Sequence, residues 1–200
     1  MLEDHRFSLM MIVRMGWMSV LIILAILGCE MSESKFKTMR HIETVRNYLN
    51  TVVFGLLSRS EEHDQSKLQS PEVEIFEIYT PKLRGCTYGS EEYKGYLKEM
   101  QVALDHHYFV NRHHPEYFTV GPEHNGPWMQ SPLERMSLID LIEMLCDWKA
   151  ATLRHADGDI LESINQNQER FGYSDELRMI LANTARWMDS TGTKHHAEES

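Results

Sequence analysis

The stretch Met136-Ser-Leu-Ile-Asp-Leu-Ile-Glu-Met-Leu-Cys-Asp-Trp-Lys-Ala-Ala-Thr-Leu153 predicts the centre of the fold. Apolar residues cover most sides of the helix, among them Leu138, Leu141, Leu145 and Trp148. Such a helix is buried by its neighbours. Asp147 lies among these apolar residues, and an unpaired charge buried there would be costly. We therefore expect a metal ion, or the side chain of an arginine or lysine, beside Asp147.

The other periodic segments also predict helices, and together they indicate an all-α fold, a bundle of about six to eight helices. Alternating strands and a Gly-rich phosphate loop are both missing from the sequence. Residues 37–58 predict a helix whose apolar stripe faces a core, formed by Ile42, Val45, Leu49, Val52 and Leu56. The further predicted helices are residues 61–68, one capped by Ser70 that stops before Pro81, one from Ser90 to near His113, residues 160–170, and residues 174–188 with Leu177, Ile180, Leu181 and Trp187 facing inward.

Composition limits the class of protein. A chain of 200 residues with 42% hydrophobic and 25% charged residues suits one globular domain. The formal net charge of −10 argues against duplex nucleic acid as a ligand, because phosphate binding needs a basic surface. The three cysteines show no CxxC spacing, so neither a disulfide framework nor a zinc ribbon is predicted. The unusual feature is the histidine content, 11 residues.

The first thirty residues have a different composition from the rest. Residues 8–29 are almost wholly apolar and are interrupted by Arg14. They fit a signal peptide core or a marginal membrane helix, and Cys29 even suggests a lipoprotein cleavage site. Alternatively, translation starts at Met31 and the upstream residues are a mistranslated leader. We expect residues 31–190 to form the helical domain and residues 191–200 to be a disordered tail. The expected location is cytoplasmic, or membrane-anchored through residues 8–29.

The segment His63-Asp64-Gln65-Ser66-Lys67 is the first candidate for chemistry. An adjacent His-Asp pair offers an imidazole nitrogen and a carboxylate to one cation, a donor mixture that zinc, manganese and iron accept. Lys67 follows Asp64 by three residues, so on a helix its ammonium would lie near the pair. There it could bind a phosphate group.

Further candidate ligands are histidines elsewhere in the chain. His106 and His113 are two helical turns apart, as are His107 and His114, so each pair would share a face of one helix. At least one of these four is expected to bind metal, although the spacing does not decide which. A ligating histidine needs an acceptor for its other ring nitrogen, and the candidates are Glu116, Asp105 and Glu143.

The order of these residues resembles that of a known superfamily. His41, His63, Asp64 and Asp147 match the ligand order of the HD-domain metal-dependent phosphohydrolases, which have an HD-like helical bundle. The segment from His63 to Lys67 is similar to that of the branch that hydrolyses cyclic dinucleotides, with Ser66 in place of Gly. The paired histidines 113 and 114, and Ala150 three residues after Asp147, resemble the same branch, whereas its Gly-Tyr-Pro motif is absent. Residues 41–183 also resemble a bacterial and phage family known only as a domain of unknown function.

The resemblance implies a metal-dependent phosphohydrolase that acts on a nucleotide or another small phosphoester through a metal-activated water. It implies one or two divalent ions (Mn, Fe, Zn, Co or Ni), with Asp64 and Lys67 catalytic and Lys67, Arg59 and Arg112 binding the substrate phosphate. The alternatives are an HD-type di-iron oxygenase and a non-catalytic metal-binding helical protein. The full set of expected metal ligands is His41, His63, Asp64, His106, His113, His114 and Asp147.

Overall fold

The computed structural model of this protein describes residues 32–87, 90–120, 131–154 and 158–191. All regular structure in these ranges is helical, with eight α-helices and two short 3₁₀-helices, which confirms the predicted all-α class. The chain divides into two compact units, residues 1–51 and 52–200. A single domain over residues 31–190 stays a prediction. The predictions for residues 1–30 and 192–200 fall outside the described residues.

Ten helical segments follow one another in the described ranges. None of those in the described ranges has the length and apolar character needed to cross a membrane. In chain order they are α1 (Glu33–Glu62), a 3₁₀-helix (Gln65–Leu68), α2 (Glu72–Arg84), α3 (Glu91–Glu99), α4 (Gln101–Val110), α5 (Tyr117–Val120), a 3₁₀-helix (Pro132–Arg135), α6 (Leu138–Thr152), α7 (Ile160–Phe171) and α8 (Asp175–Thr191).

The described part of the first unit is the N-terminal part of α1. The predicted helix is present, but its apolar stripe is not buried, since Ile42 is 50% exposed and Leu49 is 60% exposed. The expectation that this stripe faces a core was therefore wrong. Helical periodicity shows that apolar side chains share a face, but it does not supply a surface to cover them.

The core of the second unit lies between α6, α7 and α8. Met144 and Leu145 from α6 pack with Ile164 from α7 and Leu181 from α8, and all four are at least 96% buried. The helix predicted for residues 136–153 is thus part of the core, as expected, although Leu138 at its start is 74% exposed. Burial of each such side chain stabilises the fold by roughly 1.5–3 kcal/mol.

The buried face of α8 differs from the predicted one. Ile180 and Trp187 are 58% and 62% exposed, whereas Leu181, Ala182 and Ala185 are buried. The prediction had placed Ile180 and Trp187 inward. The small side chains of Ala182 and Ala185 allow the neighbouring helix to approach closely, and this face of α8 is the one that packs.

The chain leaves the helical conformation at the His-Asp pair. Helix α1 ends at Glu62, and Asp64 has φ 55° and ψ 14°, in the left-handed region. A residue in that region cannot continue a right-handed helix, so the predicted helix over residues 61–68 is replaced by a turn and a 3₁₀-helix. Aspartate tolerates this conformation better than most residues. The turn exposes both carboxylate oxygens to groups on other helices.

Helix α2 also has different ends from those predicted. It begins at Glu72, with Pro71 at the N-cap position and no side-chain cap, so Ser70 does not cap it. It then continues through Pro81 to Arg84. Proline removes one backbone donor, but here it lies close to the C-terminus, where the helix needs only one more turn. Glu72 is the first residue of the helix, and it is fully buried.

The predicted long helix after Ser90 is divided in two. Ser90 caps α3 by accepting a hydrogen bond from the backbone N–H of Tyr93, as expected. The helix is interrupted at Met100 and α4 ends at Val110, before His113. Residues 111–116 then form turns. Because the chain reverses there, the histidines after the turn return towards those on α4.

Candidate metal centre

Three parts of the second unit bring the candidate ligands together. The turn after α1 supplies His63 and Asp64, helix α4 with the following turn supplies histidines, and α6 supplies Asp147. The structure groups His63 with Asp64 and Asp147, and it groups Asp64 with three histidines, His107, His113 and His114. Within each group the ligand atoms lie within 4.8 Å of one another. Asp64 belongs to both.

The first group is a histidine between two carboxylates. The Nε2 atom of His63 lies 3.6 Å from Oδ2 of Asp64 and 3.8 Å from Oδ1 of Asp147. Two ligand atoms bound to one tetrahedral ion at about 2.0–2.3 Å lie about 3.3–3.8 Å apart. The observed separations therefore match those of ligands that share one ion. We call this group the first metal position.

The second group collects three imidazoles around the other oxygen of Asp64. Oδ1 of Asp64 lies 3.4 Å from Nε2 of His107 and 3.5 Å from Nε2 of His113. The Nε2 atoms of His107 and His114 are 2.8 Å apart, at hydrogen-bond distance, and would have to separate to about 3.3–3.8 Å to share one ion. This convergence of ring nitrogens on one carboxylate oxygen is the arrangement of a nitrogen-rich transition metal site. We call this group the second metal position.

Two atoms of the second position lack the partners that buried polar atoms normally have. Oδ1 of Asp64 and Nε2 of His113 are buried and find no hydrogen-bond partner among the described residues. Leaving such atoms unsatisfied costs roughly 1–3 kcal/mol each. A cation between them would satisfy both. The donor set, one carboxylate oxygen and three imidazole nitrogens, fits a divalent transition metal.

The two positions differ in their access to solvent. The side chains of His63, Asp64 and Asp147 are 30%, 18% and 20% exposed. His107 and His113, in contrast, are only 2% exposed. Catalytic metal sites typically use three protein ligands and keep one position open. The first position has this character, whereas the second is enclosed.

Two carboxylates hold the other nitrogens of the histidines. Oε1 of Glu143 accepts from Nδ1 of His63 at 3.0 Å and from Nδ1 of His113 at 3.1 Å. Oε2 of Glu72 accepts from Nδ1 of His107 at 2.9 Å. An Nδ1–H held in this way leaves the Nε2 lone pair free to bind metal.

Glu143 was among the acceptors expected from the sequence, but Glu72 was not. Glu72 is fully buried on α2, 35 positions before His107. Only its place in the first turn of a helix distinguished it, and that is common for exposed glutamates. The other expected acceptors contact different side chains, since Glu116 pairs with Arg170 and Asp105 accepts from Gln101.

The electrostatics of the second position favour the neutral forms of His107 and His114. Burial lowers the pKa of His114, and the charges of His113 and His107 lower it further. Burial, followed by the charge of Lys67, lowers the pKa of His107. Burial raises the pKa of Asp64, but the charge and hydrogen bond of Lys67 outweigh it, and the net pKa lies below the ordinary value. Neutral histidines and ionised carboxylates are the forms that bind metal.

At the first position the charges act differently. The hydrogen bond to Glu143 raises the pKa of His63, and the nearby Asp64 and Asp147 carboxylates add to this against the effect of burial. Burial raises the pKa of Glu143, but hydrogen bonds from His113 and His63 lower it to about 2. The three carboxylates around His63 thus create a negative field in which a cation is favoured.

One expected ligand of the second unit, His106, lies outside both groups. His41 is exposed and belongs to the first unit, so its role as a ligand stays a prediction. The side chain of His106 is 38% exposed, and its Nδ1 atom lies 2.7 Å from Oε1 of Glu72. His107, whose role the sequence left open, occupies the place expected for His106. The remaining five expected ligands are brought together, namely His63, Asp64, His113, His114 and Asp147.

The three expected phosphate-binding side chains have different surroundings. Lys67 donates to Oδ2 of Asp64 at 2.5 Å and its side chain is 31% exposed. Arg59 forms an ion pair with Asp140 and a 3.1 Å contact with Glu143. Arg112 lies 3.4 Å from Asp140 and stacks over Tyr117. Lys67 is thus the cation at the exposed first position, whereas both arginines bind a carboxylate that is fully buried.

The comparisons with known proteins place the chain in a family. The sequence profile of a family of unknown function (DUF5662) matches residues 30–189. The chain belongs to the DUF5662 family. Neither a curated protein nor a solved structure matches it. The matched range contains every residue of both metal positions in this DUF5662 protein, and the HD-type function implied by the resemblance stays a prediction.

Proposed function

We propose that this DUF5662 protein is a metal-dependent phosphohydrolase that acts on a nucleotide or another small phosphoester. The observation that carries the proposal is the position of Asp64, whose two oxygens belong to two groups of candidate ligands. The unpartnered Oδ1 of Asp64 and Nε2 of His113 support a cation at this place. Together these features match the paired metal sites that cleave phosphoesters.

The residues of both groups would hold the ions. His63, Asp64 and Asp147 would hold the first, and Asp64, His107, His113 and His114 would hold the second. The donor set suits Mn, Fe, Zn, Co or Ni. When bound, such an ion supplies a water whose pKa is lowered to about 7, and it polarises a phosphoryl oxygen.

The side chains around the first position bind and orient the substrate. Lys67 is 31% exposed and lies beside Asp64, so its ammonium can neutralise the charge of a phosphate at this position. The partial exposure of His63 and Asp147 leaves the first position accessible to solvent. Arg59 and Arg112 pair with Asp140, and this geometry favours a structural role for them over direct phosphate binding.

The enclosed histidines of the second position keep the site organised. The burial of His107 and His113 limits the access of water, and the lowered pKa values of His107 and His114 favour their neutral forms, which do not repel a bound cation. Because Asp64 belongs to both groups, a shift of its carboxylate would disturb both metal positions together. This arrangement explains why the turn at Asp64 has a backbone conformation that few residues adopt.

The proposal is tested by metal analysis followed by a search for turnover. The purified protein is analysed for bound metal, is reconstituted separately with each of the five ions, and is then assayed for phosphate release from nucleotides and for opening of cyclic nucleotides. We expect turnover that depends on metal and is lost on chelation. Full metal loading without hydrolysis of any phosphoester would reject the proposal, and a coloured iron protein that consumes oxygen instead would support an oxygenase.

A further inference from the structure

We propose that Glu143 and Glu72 are positioning residues with unequal roles: Glu143 supports both metal positions, and Glu72 supports the second alone. This inference rests on the proposed metal centre, but it concerns how the chain builds that centre and not which substrate is cleaved. It follows from the different histidines that each carboxylate holds. Glu143 also forms a third group of possible ligands with His63 and His113, whereas Glu72 belongs to no such group among the described residues. Because Oε1 of Glu143 lies at hydrogen-bond distance from the Nδ1 atoms of both histidines, we assign it to positioning and not to ligation.

Glu143 connects histidines from the two positions. Its Oε1 atom lies 3.0 Å from Nδ1 of His63, which belongs to the first position, and 3.1 Å from Nδ1 of His113, which belongs to the second. One oxygen therefore sets the tautomer and the ring orientation of both imidazoles. The rings of His63 and His113 lie close together, with centroids 4.5 Å apart, as this shared acceptor requires.

Glu143 is itself fixed in place. Its Oε2 atom accepts from Arg59 at 3.1 Å, and its side chain is only 9% exposed. Arg59 in turn is held by the buried Asp140. Because Arg59 is anchored on both carboxylates, Glu143 cannot turn towards solvent without leaving a charged partner behind. The oxygen that faces the two histidines is therefore held in a fixed position.

Glu72 serves one position only. Its Oε2 atom accepts from His107 at 2.9 Å and its Oε1 atom contacts His106 at 2.7 Å. Of these two histidines only His107 belongs to a metal position within the described ranges, the second. Glu72 is fully buried, so its hydrogen bonds are not weakened by competing water. It can orient His107 but has no histidine of the first position in reach of these contacts.

This difference predicts distinct metal stoichiometries for two isosteric variants. Glu143→Gln should weaken both positions, and Glu72→Gln should weaken only the second, each by about 10–100-fold in affinity, as is typical when a carboxylate behind a ligating histidine is replaced. Glutamine keeps the size of the side chain but removes the charge that holds the proton on Nδ1.

The metal-free full chain is titrated with Co²⁺. Binding is measured by calorimetry and by the visible absorption of the bound ion. Glu116→Gln is the matched control, because Glu116 pairs with Arg170 at 2.5 Å outside the metal groups. We expect two ions in the wild type and in the control. Glu72→Gln should retain one tight ion, and both ions should bind weakly in Glu143→Gln.

A second measurement keeps the inference testable if a variant does not fold. Nitrogen-15 chemical shifts of the histidine rings in the metal-free wild type, at alkaline pH, report the tautomers directly. Nδ1–H tautomers at His63, His107 and His113 would support the inference. Nε2–H tautomers at these residues would overturn it, because the nitrogens that face the metal positions would then carry protons.

The outcomes also separate this inference from the proposed function. Wild-type affinity for two ions in Glu143→Gln, or equal loss of both ions in Glu72→Gln, would overturn the inference and leave the hydrolase intact. Two bound ions with the expected variant pattern, but no hydrolysis of any phosphoester, would support the inference and reject the hydrolase. A wild type that binds no Co²⁺ would overturn both.

Discussion

Asp64 is the residue that joins the two metal positions, and its backbone conformation decides which substitution can test it. At φ 55° an alanine would be strained, at a cost on the order of 1–3 kcal/mol, whereas asparagine tolerates the left-handed region. Asp64→Asn therefore removes the charge and keeps the turn. A loss of activity in this variant can be assigned to chemistry and not to misfolding.

We predict that Asp64→Asn binds neither ion tightly and shows no metal-dependent phosphate release. The reason is that each metal position loses its shared, charged oxygen. Metal content after dialysis and phosphate release check this. The control is Asp105→Asn, an exposed carboxylate that accepts from Gln101 at 2.6 Å. Unchanged metal content in Asp64→Asn would show that the centre is placed elsewhere.

The two adjacent histidines on α4 should behave differently. We predict that His107→Ala loses the second ion, whereas His106→Ala retains both, because His107 alone of the pair belongs to a metal group. Metal content per chain distinguishes them. Each variant serves as the control for the other, since the two share a helix and both contact Glu72. Loss of metal in His106→Ala only would contradict the geometry.

Lys67 should affect the substrate and not the ions. We predict that Lys67→Met retains both ions and lowers kcat/KM by about 10–100-fold, the loss expected for one charged hydrogen bond of about 1.5–3 kcal/mol. Steady-state kinetics with the best phosphoester and metal analysis of the same sample check this. The control is Lys94→Met, since Lys94 forms an exposed pair with Glu91. If Lys67→Met lost metal instead, Lys67 would be part of the metal site.

Much of the candidate site could be predicted at the residue scale, and the failures have a physical cause. His63 and Asp64 are adjacent in the sequence, and therefore the chain itself keeps them together. The sequence could not show which of His106 and His107 joins the metal centre, because this depends on where α4 ends. On one continuous helix His107 and His114 would be two turns apart. The turn after Val110 instead brings their Nε2 atoms to 2.8 Å.

A buried charge lies at the start of α6. Ser137 and Asp140 form a reciprocal capping box at its N-terminus, and the same Asp140 carboxylate binds Arg59 and Arg112. The side chain of Asp140 is completely buried, whereas both arginines retain partial exposure. One carboxylate thus fixes the start of the core helix and two cations beside the metal centre.

We predict that Asp140→Ala lowers the free energy of unfolding by about 3–5 kcal/mol, because it leaves arginine charges without their buried partner. Urea denaturation in the presence of a chelator measures this without a contribution from metal. Asp175→Ala is the control, since Asp175 also lies in the first turn of a helix and pairs with an arginine, but is 81% exposed. That variant should lose much less stability, because solvent screens an exposed ion pair. Equal losses would show that burial does not determine the effect.

Sequence reasoning identified the helices more reliably than their ends or their buried faces. The apolar pattern of residues 136–153 was sufficient, because α6 has apolar side chains on most of its surface. The apolar pattern did not identify the buried face of α8. The predicted face included Ile180 and Trp187, whereas the buried face includes Ala182 and Ala185. The end of α1 could not be predicted, because it depends on the left-handed conformation of one aspartate.

The stability of the whole metal-free protein should depend on pH in a specific way. Below pH 6.5 the unfolded state binds protons that His107 and His114 resist in the folded state, so stability falls as the pH falls. Glu143 adds a further loss between pH 4.5 and about 2. Above pH 6.5 His63 has the opposite effect. Its pKa is raised in the folded state, so the stability that its protonation contributes is lost as the pH rises through that pKa.

We therefore predict a stability maximum near pH 6.5, with a steeper fall on the acid side, where two histidines act against one on the alkaline side. Urea unfolding of the chelated protein at about pH 5, 6.5 and 8 measures this. His114→Gln should flatten the acid side, whereas the exposed His106, replaced in the same way, should not. A stability that keeps rising from about pH 6.5 to 5 would contradict the prediction.

Over the whole molecule, composition and periodicity were sufficient for the all-α class, because helical spacing recurs along almost all of the described chain. Composition and periodicity were not sufficient to predict which face of each helix is buried. The stripe on α1 has the spacing of a buried face, yet Ile42 and Leu49 are largely exposed. A sequence pattern describes one helix, whereas burial depends on which other part of a molecule lies against it.

The shared oxygen of Glu143 has a consequence for how this protein can change during evolution. Arg59, His63 and His113 all depend on that carboxylate, so the four positions form one epistatic unit. Losses from single substitutions should not add, and a double variant should lose less than the sum of its parts, with coupling of about 0.5–3 kcal/mol. Viable descendants should therefore replace these residues jointly, and a lineage that has lost one of them should tolerate loss of the others.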